Sequence, residues 1–193
     1  MKIFIGITGA SGAIFGLYTA FCALKCKAKT HVCISSGAKS VIENEKNALN
    51  LLNTSSLNEA IEILEQNGAI IHDERDLAAA VSSGSYGTDA FIIAPASANT
   101  IAKIYAGFSD TLITRTAAVA LKERKPLVLG VREMPLSTLL LRQLCTLSEL
   151  GAIIAPPLAQ TYSKSPNADF IAGRWLDLAG VKNQIYKRWQ EEN

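Results

Sequence analysis

Short apolar runs alternate with longer stretches of helical period along the chain. Lys2–Thr8 (KIFIGIT) predicts a buried strand that stops at glycines, and Ala13–Leu24 a helix after it. Thr30–Ser35 predicts a second strand, with a helix running on through Ala48. Leu57–Glu65 predicts another helix, with Ile61 and Leu64 on one face and Ser56 with Glu59 as its capping box. Ala69–His72 is a short strand and Ala90–Ala94 (AFIIA) a fully apolar one. Helices are expected over Asn99–Ala106 and Thr111–Arg124, then a strand over Pro126–Val131 and a helix over Leu136–Leu150. A last short strand at Ala152–Ala155 precedes helices at Asp169–Leu178 and Gln184–Glu192.

Strand and helix in strict alternation predict an α/β fold, a parallel sheet with helices on both faces. Runs such as AFIIA, apolar at every position, fit strands buried on both sides. No repeat or linker divides the chain, so one domain is expected over 1–193. The irregular stretch Pro156–Pro166 (PPLAQTYSKSP) reads as a lid-like segment.

Composition narrows the partners. Hydrophobic residues make up 49% of the 193, enough for a sizeable core. Nineteen Lys and Arg against 17 Asp and Glu leave a net charge of +2, so no general attraction to nucleic acid or anionic membrane is expected. Four cysteines (Cys22, Cys26, Cys33, Cys145) are too few for a disulfide scaffold and are read as free thiols of a cytoplasmic core. The N-terminal stretch is apolar like a secretory leader, but Gly6, Thr8, Gly9, Ser11 and Gly12 interrupt it. No segment reaches roughly 18 uninterrupted apolar residues, so no membrane span is expected. Gly12 and Gly16 are read as a site where a helix packs closely on the sheet.

Candidate chemistry gathers at strand ends, where open parallel sheets bind ligands. The first strand runs into Gly9-Ala10-Ser11-Gly12, and a helix start there offers free N–H groups to an anion. The spacing is GxxGxxG rather than GxGxxG. No acid lies between Lys2 and Val41 to bind a ribose diol, which disfavours a nicotinamide dinucleotide. There is no GxxxxGK[ST], which excludes a P-loop. A mononucleotide such as FMN stays open, beside the plainer reading of a tight strand–helix turn. Ser97, Asn99 and Thr100 after AFIIA either cap a helix or hold a polar ligand. Arg115 and Lys122 are seven apart and share a helix face. Arg132 and Glu133 follow a buried strand, and Tyr162, Lys164 and Arg174 lie in and after the lid-like segment. These cations suggest a second anion, a phosphate.

Four segments together, GITGASGA, SGSYGTDAFIIAPAS, TRTAAVALKERKPLVLGVREMPLS and GRWLDLAG, resemble the UbiX-type flavin prenyltransferases over about residues 3 to 180. The resemblance implies a Rossmann-like or flavodoxin-like sandwich, a homo-oligomer that is typically a dodecamer, and no metal. It implies transfer of a dimethylallyl group from dimethylallyl phosphate to N5 and C6 of reduced FMN, making the prenylated flavin of UbiD-type decarboxylases. By the same resemblance Gly9, Ala10, Ser11, Ser35, Ser97, Ala98, Asn99, Thr100 and Arg115 would bind FMN. Ser11 and Glu45 would be catalytic, with Glu43 the nearest rival for the carboxylate. Lys122, Arg132, Glu133, Tyr162 and Arg174 would surround the prenyl phosphate. The segment PASANT is closer to the related FMN-dependent cysteine decarboxylases, but REMPLSTLL stands where those carry a PxMN motif, and neither His31 nor His72 is placed as their base. A flavin-delivery module without chemistry would need the FMN loops but neither Glu45 nor the cations.

Overall fold

The computed structural model describes residues 1–161 and 166–189. Among them, six parallel strands form one sheet: β1 (Lys2–Ile7), β2 (Lys29–Ile34), β3 (Ile70–His72), β4 (Ala90–Ala96), β5 (Leu127–Val131) and β6 (Ile153–Ile154). Their order is β3-β2-β1-β4-β5-β6. The expected α/β fold is the one observed. The order turns back between β1 and β4, and that switch point is where a doubly wound sheet opens a crevice beyond its strand ends.

Burial on both faces explains the unbroken apolar strands. Ile3, Ile5, Val32 and Ile92 point to one face, covered by α1 (Ala13–Lys25), α2 (Ser36–Asn44), α3 (Leu57–Gln66) and α7 (Asn167–Leu178). Phe4, Cys33, Phe91 and Leu129 point to the other, covered by α4 (Ala98–Tyr105), α5 (Leu112–Lys122) and α6 (Thr138–Glu149). A Cβ on Gly16 would lie 2.3 Å from the carbonyl oxygen of Ala94, so α1 rests directly on β4, as the GxxxG spacing suggested.

Three local expectations are corrected. The second helix does not run through Ala48: α2 ends at Asn44, and Lys46–Leu52 forms 3-10 turns instead. The run Glu43-Asn44-Glu45-Lys46-Asn47 has no apolar residue to continue a buried stripe. The capping box of α3 is displaced by one residue. Ser56 Oγ accepts the Glu59 N–H, but the Glu59 carboxylate accepts from the Ser55 N–H and hydroxyl rather than from Ser56. The helix expected over Gln184–Glu192 is absent across 184–189, and residues 190–193 lie outside the described set. Tyr186 leaves helical geometry to pack on Gly173, its hydroxyl donating to Asp177 Oδ2 at 2.6 Å, and Arg188 grips the same carboxylate with two bonds of 2.9 Å.

The segment between β3 and β4, which carries no clear period, crosses the second face of the sheet. Beneath it, His31 Nδ1 lies 2.9 Å from His72 Nε2, and the Tyr86 hydroxyl 3.2 Å from His31 Nε2. Lys2 stands over the Tyr86 ring. Burial, the neighbouring His72 and the charges of Lys29 and Lys2 push the His31 pKa down to about 4.

Candidate functional site

Two cavities flank the Gly9–Gly12 turn at the switch point. The first, of about 470 Å³, opens at the ends of β1, β2 and β4. The N-termini of three helices face it, each closed by its own hydroxyl cap. Ser35 Oγ accepts the Ala38 N–H at the head of α2, and Ser97 Oγ accepts the Thr100 N–H at the head of α4. Thr111 and Thr114 exchange side-chain and backbone bonds at the head of α5. Each helix start adds partial positive charge, so their convergence suits an anionic group. The floor is made by backbone. A Cβ on Gly9 would lie 3.0 Å from Cα of Gly37, so glycine there keeps the wall thin. Thr8 Oγ1 donates to the Pro95 carbonyl at 2.8 Å and accepts the Ser97 N–H at 2.9 Å, stitching the ends of β1 and β4 together.

The rim of this cavity carries residues the sequence reasoning missed. Lys103 Nζ lies 2.5 Å from Asp110 Oδ2, and this contact holds the Asp110 carboxyl below its usual range. Glu74 and Arg75 reach the rim from the loop after β3. The signal was present: the polar run His72-Asp73-Glu74-Arg75-Asp76 follows a strand end, the same position that singled out the loops after β1, β2, β4 and β5.

The second cavity, of about 510 Å³, lies on the other side of the turn and is lined by Ser11, Phe15, Glu43, Glu45 and Arg132. Ser11 Oγ donates to Glu45 Oε1 at 2.6 Å, and the Gly12 N–H donates to Glu45 Oε2 at 2.9 Å. The end of α2 makes this possible. Glu45 has left helical geometry (φ −103°, ψ 34°), which turns its half-buried side chain back toward the head of α1. Glu43 instead pairs with Lys46 at 3.2 Å on the surface.

The remaining sequence candidates do not all gather here. Gly9, Ser35, Ser97, Asn99 and Thr100 line the first cavity, with Ala10 buried behind the turn and Ala98 opening α4. Arg115 is not among the residues lining it: its Nε donates to the Ser82 carbonyl at 3.0 Å and ties α5 to the β3–β4 segment. Arg132 reaches the second cavity, while Glu133 turns onto the Met134 N–H at 3.2 Å. Lys122 is at the wrong end of its own subunit for a shared phosphate. The helix α5 starts at the first cavity and runs back along the sheet, so eleven residues, about 16 Å of helix, carry Lys122 away to an ion pair with Glu123. Arg174 lines a separate apolar groove of about 550 Å³ between α7 and residues 153–161, and it leans on Asp177 at 3.4 Å. Tyr162 and Lys164 lie outside the described residues, as do residues 163 and 165 of the lid-like segment.

Among the described residues no helix is long and apolar enough to cross a membrane. A family model described as Flavoprotein matches residues 1–186. The chain is 44% identical to the flavin prenyltransferase UbiX of Campylobacter jejuni, over 98% of this chain and 99% of that protein. Its structure resembles that of a dodecameric FMN-dependent UbiX-like decarboxylase from Escherichia coli O157:H7, with a TM-score of 0.85, 35% identity, and 99% and 100% of the two chains covered. It also resembles AnUbiX in complex with FMN and dimethylallyl pyrophosphate, with a TM-score of 0.85, 34% identity, and 100% and 98% of the two chains covered. A glycine turn between two strand-end cavities, on a backbone that matches these proteins end to end, places the chain in the flavoprotein family and, within it, among the UbiX flavin prenyltransferases.

Proposed function

We propose that the protein moves a dimethylallyl group from dimethylallyl phosphate onto N5 and C6 of reduced FMN. The observation that carries this reading is the Ser11–Glu45 couple, set on the turn that separates an anion-binding cavity from a second, arginine-lined one. Ser35, Ser97, Asn99 and Thr100 would hold the flavin, its phosphate tail in the first cavity. The hydroxyl caps and the thin Gly9–Gly37 floor fit such a group. Reduced FMN supplies the nucleophilic ring atoms and a flat surface beside the allyl group.

The chain's own residues then have defined tasks. Arg132 faces the second cavity and would stabilise the departing phosphate as its C–O bond breaks. Ser11 presents a hydroxyl to the reacting atoms, and the Glu45 carboxylate behind it accepts that hydroxyl's proton in a 2.6 Å hydrogen bond. A proton released on ring closure can therefore pass to Ser11 Oγ while the serine proton moves to Glu45. The Gly12 N–H fixes the carboxylate's second oxygen, so the couple is oriented before substrate arrives.

Lys122 and Arg174, which lie away from the second cavity, would complete the phosphate clamp only from neighbouring subunits. A homo-oligomer, a dodecamer by likeness to the Escherichia coli structure, is the assembly we propose. Exposed Met134, Leu136, Leu139, Leu141 and Leu158 supply apolar surface for it. The four cysteines are free thiols, which supports a cytoplasmic location. A UbiD-type decarboxylase would receive the product. The test is the mass and absorption spectrum of the flavin after incubation with reduced FMN and dimethylallyl phosphate. A flavin heavier by one isoprenyl unit is expected, and recovery of unchanged FMN would refute the reading.

A further inference from the structure

The charges around the first cavity do not balance a phosphate. A phosphate monoester arrives as a dianion, yet the rim already holds two carboxylates, Glu74 and Asp110. Lys103 is committed to Asp110 at 2.5 Å. Glu74 Oε1 accepts the Ser36 N–H at 2.8 Å, which takes up one of the donors at the head of α2. A second cation on the wall would add to the partial charges of the three helix heads. Arg75 is the other cation lining this cavity, and among the described residues its guanidinium makes no hydrogen bond or ion pair.

Its backbone is nevertheless held firmly. The Glu74 carbonyl accepts the Leu112 N–H at 2.7 Å, so residue 74 is tied to the head of α5 by its backbone and to the head of α2 by its side chain. The Arg75 N–H donates to Asp73 Oδ1 at 2.9 Å. A fixed backbone that carries an unpartnered planar fork beside three helix N-termini is a pre-organised phosphate ligand.

We propose that Arg75 binds the terminal phosphate of the flavin, with Glu74 as the positioning residue that anchors its loop between α2 and α5. This rests on the reading of the first cavity as the flavin-tail site. Riboflavin, which lacks the phosphate, separates the two ideas. FMN and riboflavin are titrated into the full-length protein, the Arg75→Gln variant and the Arg75→Lys variant, and flavin fluorescence is followed. The Arg75→Gln dissociation constant for FMN should rise on the order of 10–100-fold, with riboflavin binding unchanged. Arg75→Lys should recover part of the loss, because it keeps the charge and loses the fork. An equal loss for both flavins would make Arg75 a wall residue and overturn the assignment, as would unchanged FMN binding. Failure of the wild-type protein to bind either flavin would defeat the reading of the cavity itself, and this assignment with it.

Discussion

The two cavities beside the Gly9–Gly12 turn occupy equivalent positions, beyond the ends of parallel strands, yet they are furnished differently. The first is walled by helix N-termini whose Ser35, Ser97 and Thr111 hydroxyls are fixed by local caps that any short segment can encode. The second depends on two long-range bonds to one carboxylate, in which Glu45 crosses 34 positions of sequence to reach Ser11 and 33 to reach the Gly12 N–H. On the proposed function, the first would hold the flavin, and the second would move a proton and receive a leaving group. The difference suggests that binding and chemistry can be damaged separately.

The largest expected effect comes from the second cavity. Glu45→Gln should slow prenyl transfer by roughly 10²–10⁴-fold while FMN affinity stays near wild type. Loss of FMN binding in that variant would erase the division between the cavities. Glu43→Gln, whose carboxylate faces Lys46, should turn over normally. Arg132→Ala should cost on the order of 10²–10³-fold in turnover, again with little change in flavin affinity. If it loses FMN instead, Arg132 belongs to the holding site.

Smaller effects are expected on the holding side. Gly9→Ala puts a methyl group 3.0 Å from the Gly37 backbone, so it should destabilise the fold by about 1–3 kcal/mol, as overpacking does, and weaken FMN binding. Denaturant melts with and without FMN measure both. The smallest and broadest effect is acid. In the folded protein His31 titrates near 4, below the ordinary value of 6.5, and its neighbour His72 is also lowered by burial. A depressed histidine leaves stability full above the unfolded value. Stability falls as pH drops from about 6.5 toward 4, by at most about 1.4 kcal/mol per pH unit for one proton. Lys2, Lys29 and Tyr86 share the surroundings of His31, and the segment above them leads to Glu74 and Arg75, so FMN binding should weaken over the same range. A His31→Gln melt that keeps the wild-type pH slope would remove His31 as the cause.

Legibility in the sequence followed the same divide. Continuous apolar runs marked β1, β4 and β5, because strands buried on both faces have no polar side to blur them. Ser97 was visible because a cap is a local signal beside a strand end, whereas Ser35 came through the family resemblance. Glu45 could be reached only through family resemblance, since its role depends on α2 breaking at Asn44 and turning the chain back. Lys122 entered the clamp through family resemblance; its spacing from Arg115 says nothing of which end of the sheet α5 is leaving, and within its own subunit it pairs with Glu123 away from both cavities. Glu74 and Arg75 were passed over because β3 is three residues long and half exposed, too short to draw attention to the loop after it.

The most direct test of the division is a crystal structure of the protein with FMN and dimethylallyl phosphate. The account places the flavin phosphate at the heads of α2, α4 and α5 beside Arg75, and the prenyl donor's phosphate on the Arg132 side of the Gly9–Gly12 turn, next to Ser11 and Glu45. Density for the flavin phosphate at Arg132, with the first cavity holding no part of the flavin, would contradict it.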